Sequence, residues 1–515
     1  MLSERAERVL DVHEAGHKIR TLHLITTMNS VPNNRVTTCN DRGVNPAGDY
    51  VVYWMIAHRR ADWNFSLQRA VEWAETFKKP LVILEALRCN YQWASDRIHR
   101  FIIEGMSENW RRLKGSKALY YPYVEQKIDE GKGLLAALAS RACVVVTDDF
   151  PCFFLPRMVA AAASQVSVLL EKVDANGLLP MKEADQVFVR AFDFRRFLQK
   201  HLIPHLFIPP ERDPIKFISV KSPCDIISEP YKRWPPAYKF LEDVASLDLK
   251  RLPLDHSVHP ADTQGGARQA AVALVSFLRN SLSEYDILRN HPDDDATSGL
   301  SPYLHFGHIS VHQIFQELAD HEGWSPDSLA TQASGKRAGW WGMSSGAEAF
   351  LDELVTWREL GYNMCYHRQD YDAFESLPHW ARQTLEMHEQ DRRSYVYSAY
   401  EMEYAATHDK LWNAAQNQLR IEGRIHNYLR MLWGKNILGW TTTPREALNT
   451  MIHLNNKYAL DGRNPNSYTG IMWCLGRYDR PWGPERPVFG KVRYMSSLST
   501  MRKVRVSNFI EKYQP

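Results

Sequence analysis

The spacing of hydrophobic positions changes character near residue 260. Upstream of it, short β-branched and aromatic runs alternate with amphipathic stretches. Residues 49–58 (DYVVYWMIAH) form an apolar run of strand length, which predicts a buried strand. An amphipathic segment follows at 63–77, then a second apolar run at 80–87 (PLVILEAL). Strand, helix and strand at this spacing predict a βαβ unit with a right-handed crossover. The pattern recurs with an Ala-rich helix near 134–142 and a strand at 142–147 (ACVVVT). Residues 20–200 are therefore expected to form an α/β domain with a parallel, Rossmann-like sheet. No Gly-x-Gly-x-x-Gly follows the first strand, so the usual dinucleotide fingerprint is absent.

Residues 201–262 hold ten prolines and no sustained period, which predicts a surface connection between domains. From 263 to 500 the period is helical almost throughout, in QAAVALVSFLRNSL, HISVHQIFQELADH, AEAFLDELVTWREL and IHNYLRMLWGKNILGW. An all-α domain is expected there.

Composition narrows the function. The chain of 515 residues is 44% hydrophobic and 24% charged, which excludes a disordered protein. No apolar run approaches 18 residues, so no membrane span is expected. The N-terminus (MLSERAERVLDVHEAGHKIR) lacks the apolar core of a secretory signal, and the seven cysteines show no C-x-x-C spacing. Both point to a reducing, intracellular compartment without disulfides or a metal site, cytoplasmic in a prokaryote and nuclear in a eukaryote. The net charge is only +3, yet residues 477–515 hold nine Lys or Arg against three acids. Aromatic residues are interleaved there (Tyr478, Trp482, Phe489, Tyr494), and cations beside stacking rings are the ingredients of nucleic-acid binding.

Four constellations could carry chemistry. Residues 285–301 (YDILRNHPDDDATSGLS) place hydroxyls and backbone amides at a helix start, which suits a pyrophosphate or simply caps the helix. Glu353 and Trp357 lie four apart on one helix face. In 424–440 (RIHNYLRMLWGKNILGW), Asn427, Arg430 and Met431 share a face, and Trp433 and Trp440 lie two turns apart with Trp412 upstream; these indoles are core or an electron relay. Residues 455–466 (NNKYALDGRNPN) are a polar turn that closes on itself or surrounds a polar heterocycle.

Together, LSPYLHFGHIS (300–310), FLDELVTWREL (350–360), LWNAAQ (411–416), NKYALDGRNPN with YTGIMW (456–473) and YDRPWGPERPVFGKVRYM (478–495) resemble the photolyase and cryptochrome superfamily. Within it the chain is most similar to the class II cyclobutane pyrimidine dimer photolyases. The resemblance implies light-driven repair: excited, reduced FAD passes an electron to a pyrimidine dimer flipped out of double-stranded DNA. It makes the helical half the FAD- and DNA-binding catalytic domain of a monomer. By resemblance, Tyr285, Thr297, Ser298, Leu300, Ser301, Asn427, Arg430, Asn455 and Asp461 hold FAD. Glu353, Trp357, Trp473, Met431 and Asn290 form the dimer pocket. Trp433, Trp412 and Trp440, in that order outward, with Tyr397 beside them, carry electrons. Arg289, Arg480, Trp482, Lys491 and Arg493 contact DNA. The α/β domain is where an antenna chromophore, a deazaflavin or methenyltetrahydrofolate, would sit. The chain departs from the class II pattern at Asn427, Asn464 and Ser467, where Gly, Asp and Gly are usual. A cryptochrome-like blue-light sensor is the alternative implied by the same scaffold.

Overall fold

A computed structural model describes residues 28–223 and 225–514. The charged N-terminal stretch, the first residues of the expected α/β domain and Cys224 lie outside the described residues. The first half is the expected α/β domain. Six strands, β1 (Val36–Thr38), β2 (Tyr50–Met55), β3 (Leu81–Leu87), β4 (Leu119–Val124), β5 (Ala142–Asp148) and β6 (Leu170–Val173), form one sheet in the order β1-β6-β5-β2-β3-β4. All pairings are parallel except the edge pair β1–β6. Helices α1 (Phe65–Phe77), α2 (Asp96–Leu113), α3 (Leu134–Ala139) and α4 (Leu155–Gln165) supply the crossovers. Every residue of β2 and β5 is buried, as a parallel sheet covered on both faces requires.

The carboxylate of Asp148, at the end of β5, ties together the ends of the central strands. One oxygen accepts the N–H groups of Ile56, Ala57 and His58 at 2.7–2.9 Å, and the other accepts the Tyr53 hydroxyl at 2.8 Å. Burial pushes this carboxyl up, but His58 and the three amides outweigh it and hold the group below its usual range.

Residues 201–262 are not the open surface connection that their prolines suggest. They fold into short helical turns, and Trp234, Leu241 and Leu252 are buried in the core of the first domain. The Ala237 N–H donates to the Pro122 carbonyl, the Ser222 N–H to Lys117 and the Tyr238 hydroxyl to Tyr120, so the segment covers the β4 edge of the sheet. Covering an edge that would otherwise recruit another strand accounts for a well-packed segment of such irregular sequence.

Downstream, the described structure is helical, from Ala267–Asn280 to Ser507–Lys512. The domains are joined by buried polar contacts. Arg358 donates to the Asn176 carbonyl at 2.7 Å, and Glu359 accepts from the Leu178 and Leu179 amides at 2.7 and 3.2 Å. The Arg97 guanidinium reaches the Leu419 and Tyr458 carbonyls at 3.2 and 2.8 Å. Gly307 adopts φ +71° against β2's exit, where a β-carbon would lie 2.1 Å from the Ala57 oxygen.

Replacing Asp148 by Ala strands three buried amides. The expected cost is at least about 3 kcal/mol, or a fall of about 6–12 °C in the midpoint of a domain this size, measured by thermal denaturation at neutral pH.

Candidate active site and electron relay

The helical domain groups the site residues into four constellations. The first centres on a π-helical turn, Asp352–Trp357, that continues directly into the helix Arg358–His367. Such a turn adds a residue to the helical register and is frequent at functional sites. It presents Glu353 and Trp357, both half-buried, while Arg195 holds the neighbouring Asp352 with bonds of 2.7 and 3.1 Å. Glu353 is paired with Arg289 at 2.5 Å, and the same guanidinium lies 5.6 Å from the centre of the Tyr285 ring. The expected phosphate contact Arg289 and the expected cofactor contact Tyr285 thus stand beside the carboxylate. Asn290 is exposed at the rim. Burial pushes the Glu353 carboxyl above its usual range even though Arg289 pulls the other way. Tyr285, packed edge-on against Phe277 and Phe350, is pushed up to about 12, chiefly by burial.

The second constellation surrounds the start of the helix Asn427–Trp440. Arg430 bonds both oxygens of Asp461 at 3.1 and 3.2 Å and reaches the Asn455 side-chain oxygen at 3.4 Å. The Asn455 amide in turn donates to Ser467 at 2.6 Å, and Asn464 caps the helix Pro465–Cys474 through the Asn466 N–H at 2.9 Å. Asn464 also lies 3.2 Å from His305. Two of the three departures from the class II pattern therefore have local partners. Asn427, the third, is exposed at the helix start. The hydroxyl turn is linked to the same place: Thr297 donates to Asp295 at 3.1 Å, and Asp295 pairs with Arg424 at 2.8 Å. The helix it precedes is a single turn, Ser301–His305, with Leu300 rather than Ser301 at the cap position. What the turn offers a ligand is thus its hydroxyls.

The third constellation holds the residues expected to form the relay. Trp433 and Trp412 are 2% and 0% exposed, and Trp440 is 8% exposed. The Trp433 indole N–H donates to Gln416 at 2.8 Å, and the Trp412 indole N–H donates to the Trp433 carbonyl at 3.0 Å. The Trp412 and Trp440 rings lie 5.3 Å apart, and Trp440 and Tyr397 lie 5.4 Å apart, both edge-to-face. The Tyr397 hydroxyl meets His408 Nδ1 at 2.6 Å, and exposed Tyr395 stacks on that imidazole at 3.7 Å. The aromatic series runs from a buried end to the surface. Its last members, His408 and Tyr395, carry no motif in the sequence.

The fourth is basic and aromatic. Trp482 is flanked by Arg480 and Arg493 at 4.6 and 5.0 Å, and Arg493 also lies 5.9 Å from Trp473. Lys491 pairs with Glu485 at 3.2 Å. Met431 packs toward Gly470 of the helix that carries Trp473.

A separate cavity of about 350 Å³ opens at the carboxyl ends of the parallel strands. Trp54, Leu84, Tyr91, Phe150 and Met158 form apolar walls, and His305 and Arg463 of the helical domain close one side. This is where open α/β sheets generally hold ligands.

A bacterial class III photolyase from Agrobacterium tumefaciens has the same fold, with a TM-score of 0.64 over 90% of this chain and 86% of that one at 16% identity. No family model matches the sequence. Curated relatives named deoxyribodipyrimidine photo-lyase do match it along most of its length. That of Methanothermobacter thermautotrophicus is 34% identical over 93% of this chain and 97% of its own. That of Oryza sativa subsp. japonica is 33% identical over 93% and 90%, and that of Potorous tridactylus 32% over 90% and 81%. The chain belongs to the deoxyribodipyrimidine photo-lyase family, enzymes of light-driven DNA repair.

Removing the counter-charge by Arg289→Met is expected to raise the Glu353 pKa further, because burial then acts unopposed. Infrared difference spectra across pH, with Glu353→Gln as the blank, would show the protonated carboxyl persisting to higher pH in that variant.

Proposed function

We propose that this chain is a class II cyclobutane pyrimidine dimer photolyase that uses FAD. One observation carries the reading: the single helix Asn427–Trp440 bears Arg430 and Met431 in its first half, Trp433 at its middle and Trp440 as its last residue. Charge, pocket wall and relay are thereby set in one rigid element.

The side chains present fit FAD. Arg430, Asp461 and Asn455 offer a cation, an anion and an amide to a polar heterocycle, and Thr297, Ser298 and Ser301 offer hydroxyls to a diphosphate. Space is open at Gly299, where a β-carbon would meet nothing within 4 Å. Both ring nitrogens of buried His426, at the start of the same helix, have no hydrogen-bond partner among the described residues. Buried polar atoms of this kind are normally satisfied, so a ligand or water is expected beside them. FAD, when bound and reduced, supplies the photoexcited electron that opens the cyclobutane ring.

The protein's own part is positioning. Burial pushes the Glu353 carboxyl above its usual range, which favours the form that can donate a hydrogen bond to a dimer carbonyl as negative charge develops. Trp357 and Trp473 offer stacking surfaces to a flipped dinucleotide, worth about 1–3 kcal/mol per base. That is comparable to the few kcal/mol that extrusion costs. Arg480, Trp482, Lys491 and Arg493 grip and fill the duplex from which it leaves. Trp433, Trp412 and Trp440 form the path along which an electron vacancy moves outward to Tyr397. The apolar cavity of the α/β domain suits a planar antenna chromophore, a deazaflavin or methenyltetrahydrofolate.

The test is blue-light reversal of a thymine dimer in a short oligonucleotide by the reconstituted protein; no reversal would overturn the reading. Trp433→Phe is expected to abolish photoreduction of the cofactor with an external donor. Repair should persist in that variant once the cofactor is reduced chemically, and joint loss of both would assign Trp433 to folding instead.

A further inference from the structure

Lys435 sits in the middle of the helix Asn427–Trp440, one turn beyond Met431, and is fully buried. Its position follows from the residue before it. At Gly434 the helix approaches Pro465–Cys474 so closely that a β-carbon would lie 2.5 Å from Cys474 Sγ. This approach delivers the Lys435 ammonium to the Cys474 carbonyl, at 2.6 Å, in the last turn of the helix that carries Trp473. The same ammonium lies 5.4 Å from the centre of the Trp473 ring. Among the described residues no carboxylate is within ion-pair distance of it.

A buried ammonium without a counter-ion costs several kcal/mol. Ending a helix does not require that cost, since a Gly or an exposed cation does the same work. What the burial adds is a cation against one particular indole. Arg493 stands on that indole too, and on Trp482, whose N–H donates to Asp479 at 3.0 Å. The other Asp479 oxygen is buried without a hydrogen-bond partner among the described residues. The lysine therefore underlies both the pocket and the loop that contacts DNA.

We propose that Lys435 is a positioning residue for Trp473: its buried ammonium, anchored on the Cys474 carbonyl, fixes the indole in the orientation that stacks on a damaged dinucleotide. This rests on the reading of Trp473 as a wall of the dimer pocket. Loss of the charge ends the cation–π contact and weakens the bond to the carbonyl, which frees the ring. The groups that face the ammonium are Cys474, Asp479 and Arg493. Burial lowers its pKa from the usual 10.5 to about 8; the Cys474 thiol and Asp479 oppose the shift and Arg493 adds to it. The Cys474 thiol itself, pushed up to about 11 by burial, stays protonated through the same window.

Two opposite pH trends follow. Between about 8 and 10.5 the unfolded chain binds a proton that the folded chain does not, so this group's contribution to stability rises with pH. Its positioning of Trp473 is lost over the same rise. A purely structural lysine would show only the first trend.

The experiment is dark binding, by fluorescence anisotropy, of the FAD-loaded protein to a duplex with one thymine dimer and to the undamaged duplex, from about pH 6.5 to 9.5. Wild-type preference for the damaged duplex is expected to fall about three- to thirtyfold across that range, the span from an exposed to a desolvated cation–π contact. Lys435→Met should show the lower preference at every pH with a flat profile, and a thermal midpoint at pH 7 no lower than wild type. Trp473→Ala should be flat as well. A flat wild-type profile, or a Lys435→Met variant that keeps the wild-type preference and slope, overturns the proposal. A wild-type protein with no preference for damaged DNA at any pH overturns instead the assignment of the pocket.

Discussion

The Pro465–Cys474 helix is gripped by a glycine on each of two neighbouring helices. At Gly361 a β-carbon would stand 2.7 Å from Thr469 Oγ1 and 2.9 Å from the Pro465 carbonyl, and at Gly434 it would stand 2.5 Å from Cys474 Sγ. Interiors are packed too tightly to absorb such overlaps. Any larger residue at either position would push apart the helices that carry Trp357, Trp473 and Met431. The spacing of the walls of the proposed pocket is thus set by two missing side chains, and the polar groups act within a frame those contacts define.

Inside that frame, charge is distributed unevenly. Arg430 has Asp461, and Glu353 has Arg289. The relay indoles make their hydrogen bonds to neutral acceptors, Gln416 and the Trp433 carbonyl. Trp473, by contrast, has two cations on it, Lys435 and Arg493. A nearby positive charge makes an indole harder to oxidise, as Coulomb's law requires in a medium of low dielectric. The proposed division of tasks accords with this: the indoles on neutral partners are those assigned to passing electrons, and the one on cations is that assigned to stacking.

Much of this was legible before the fold. β2 is an unbroken apolar run, and β3 and β5 are nearly so, interrupted by Glu85 and ended by Thr147 and Asp148, as strands covered on both faces tend to be. β4 (LYYPYV) was not, because Pro122 argues against a strand; the edge position makes it tolerable. β6 (LEKV) hides behind Glu171 and Lys172, which are neutralised by Arg69 and Asp149. The paired charge Arg430–Asp461 follows from family resemblance over a gap of thirty-one residues that no local period links. Lys435 could not be read at all. A lysine in a helix normally faces water, and only the neighbouring glycine, by drawing a second helix close, turns it inward. The pairing of Arg289 with Glu353 was equally hidden, since the family resemblance gives each a different partner.

The belt of residues 201–262 has a consequence for how the molecule can be divided. It lies between the halves in sequence, yet its buried apolar side chains, Val258 excepted, join the cluster that holds the sheet. A fragment cut at residue 200 would keep the whole sheet while baring the backbone of its outermost strand and the hollow that Trp234 and Leu241 occupy. Such a piece would be sticky rather than separable, and a workable seam falls only after the belt has wrapped.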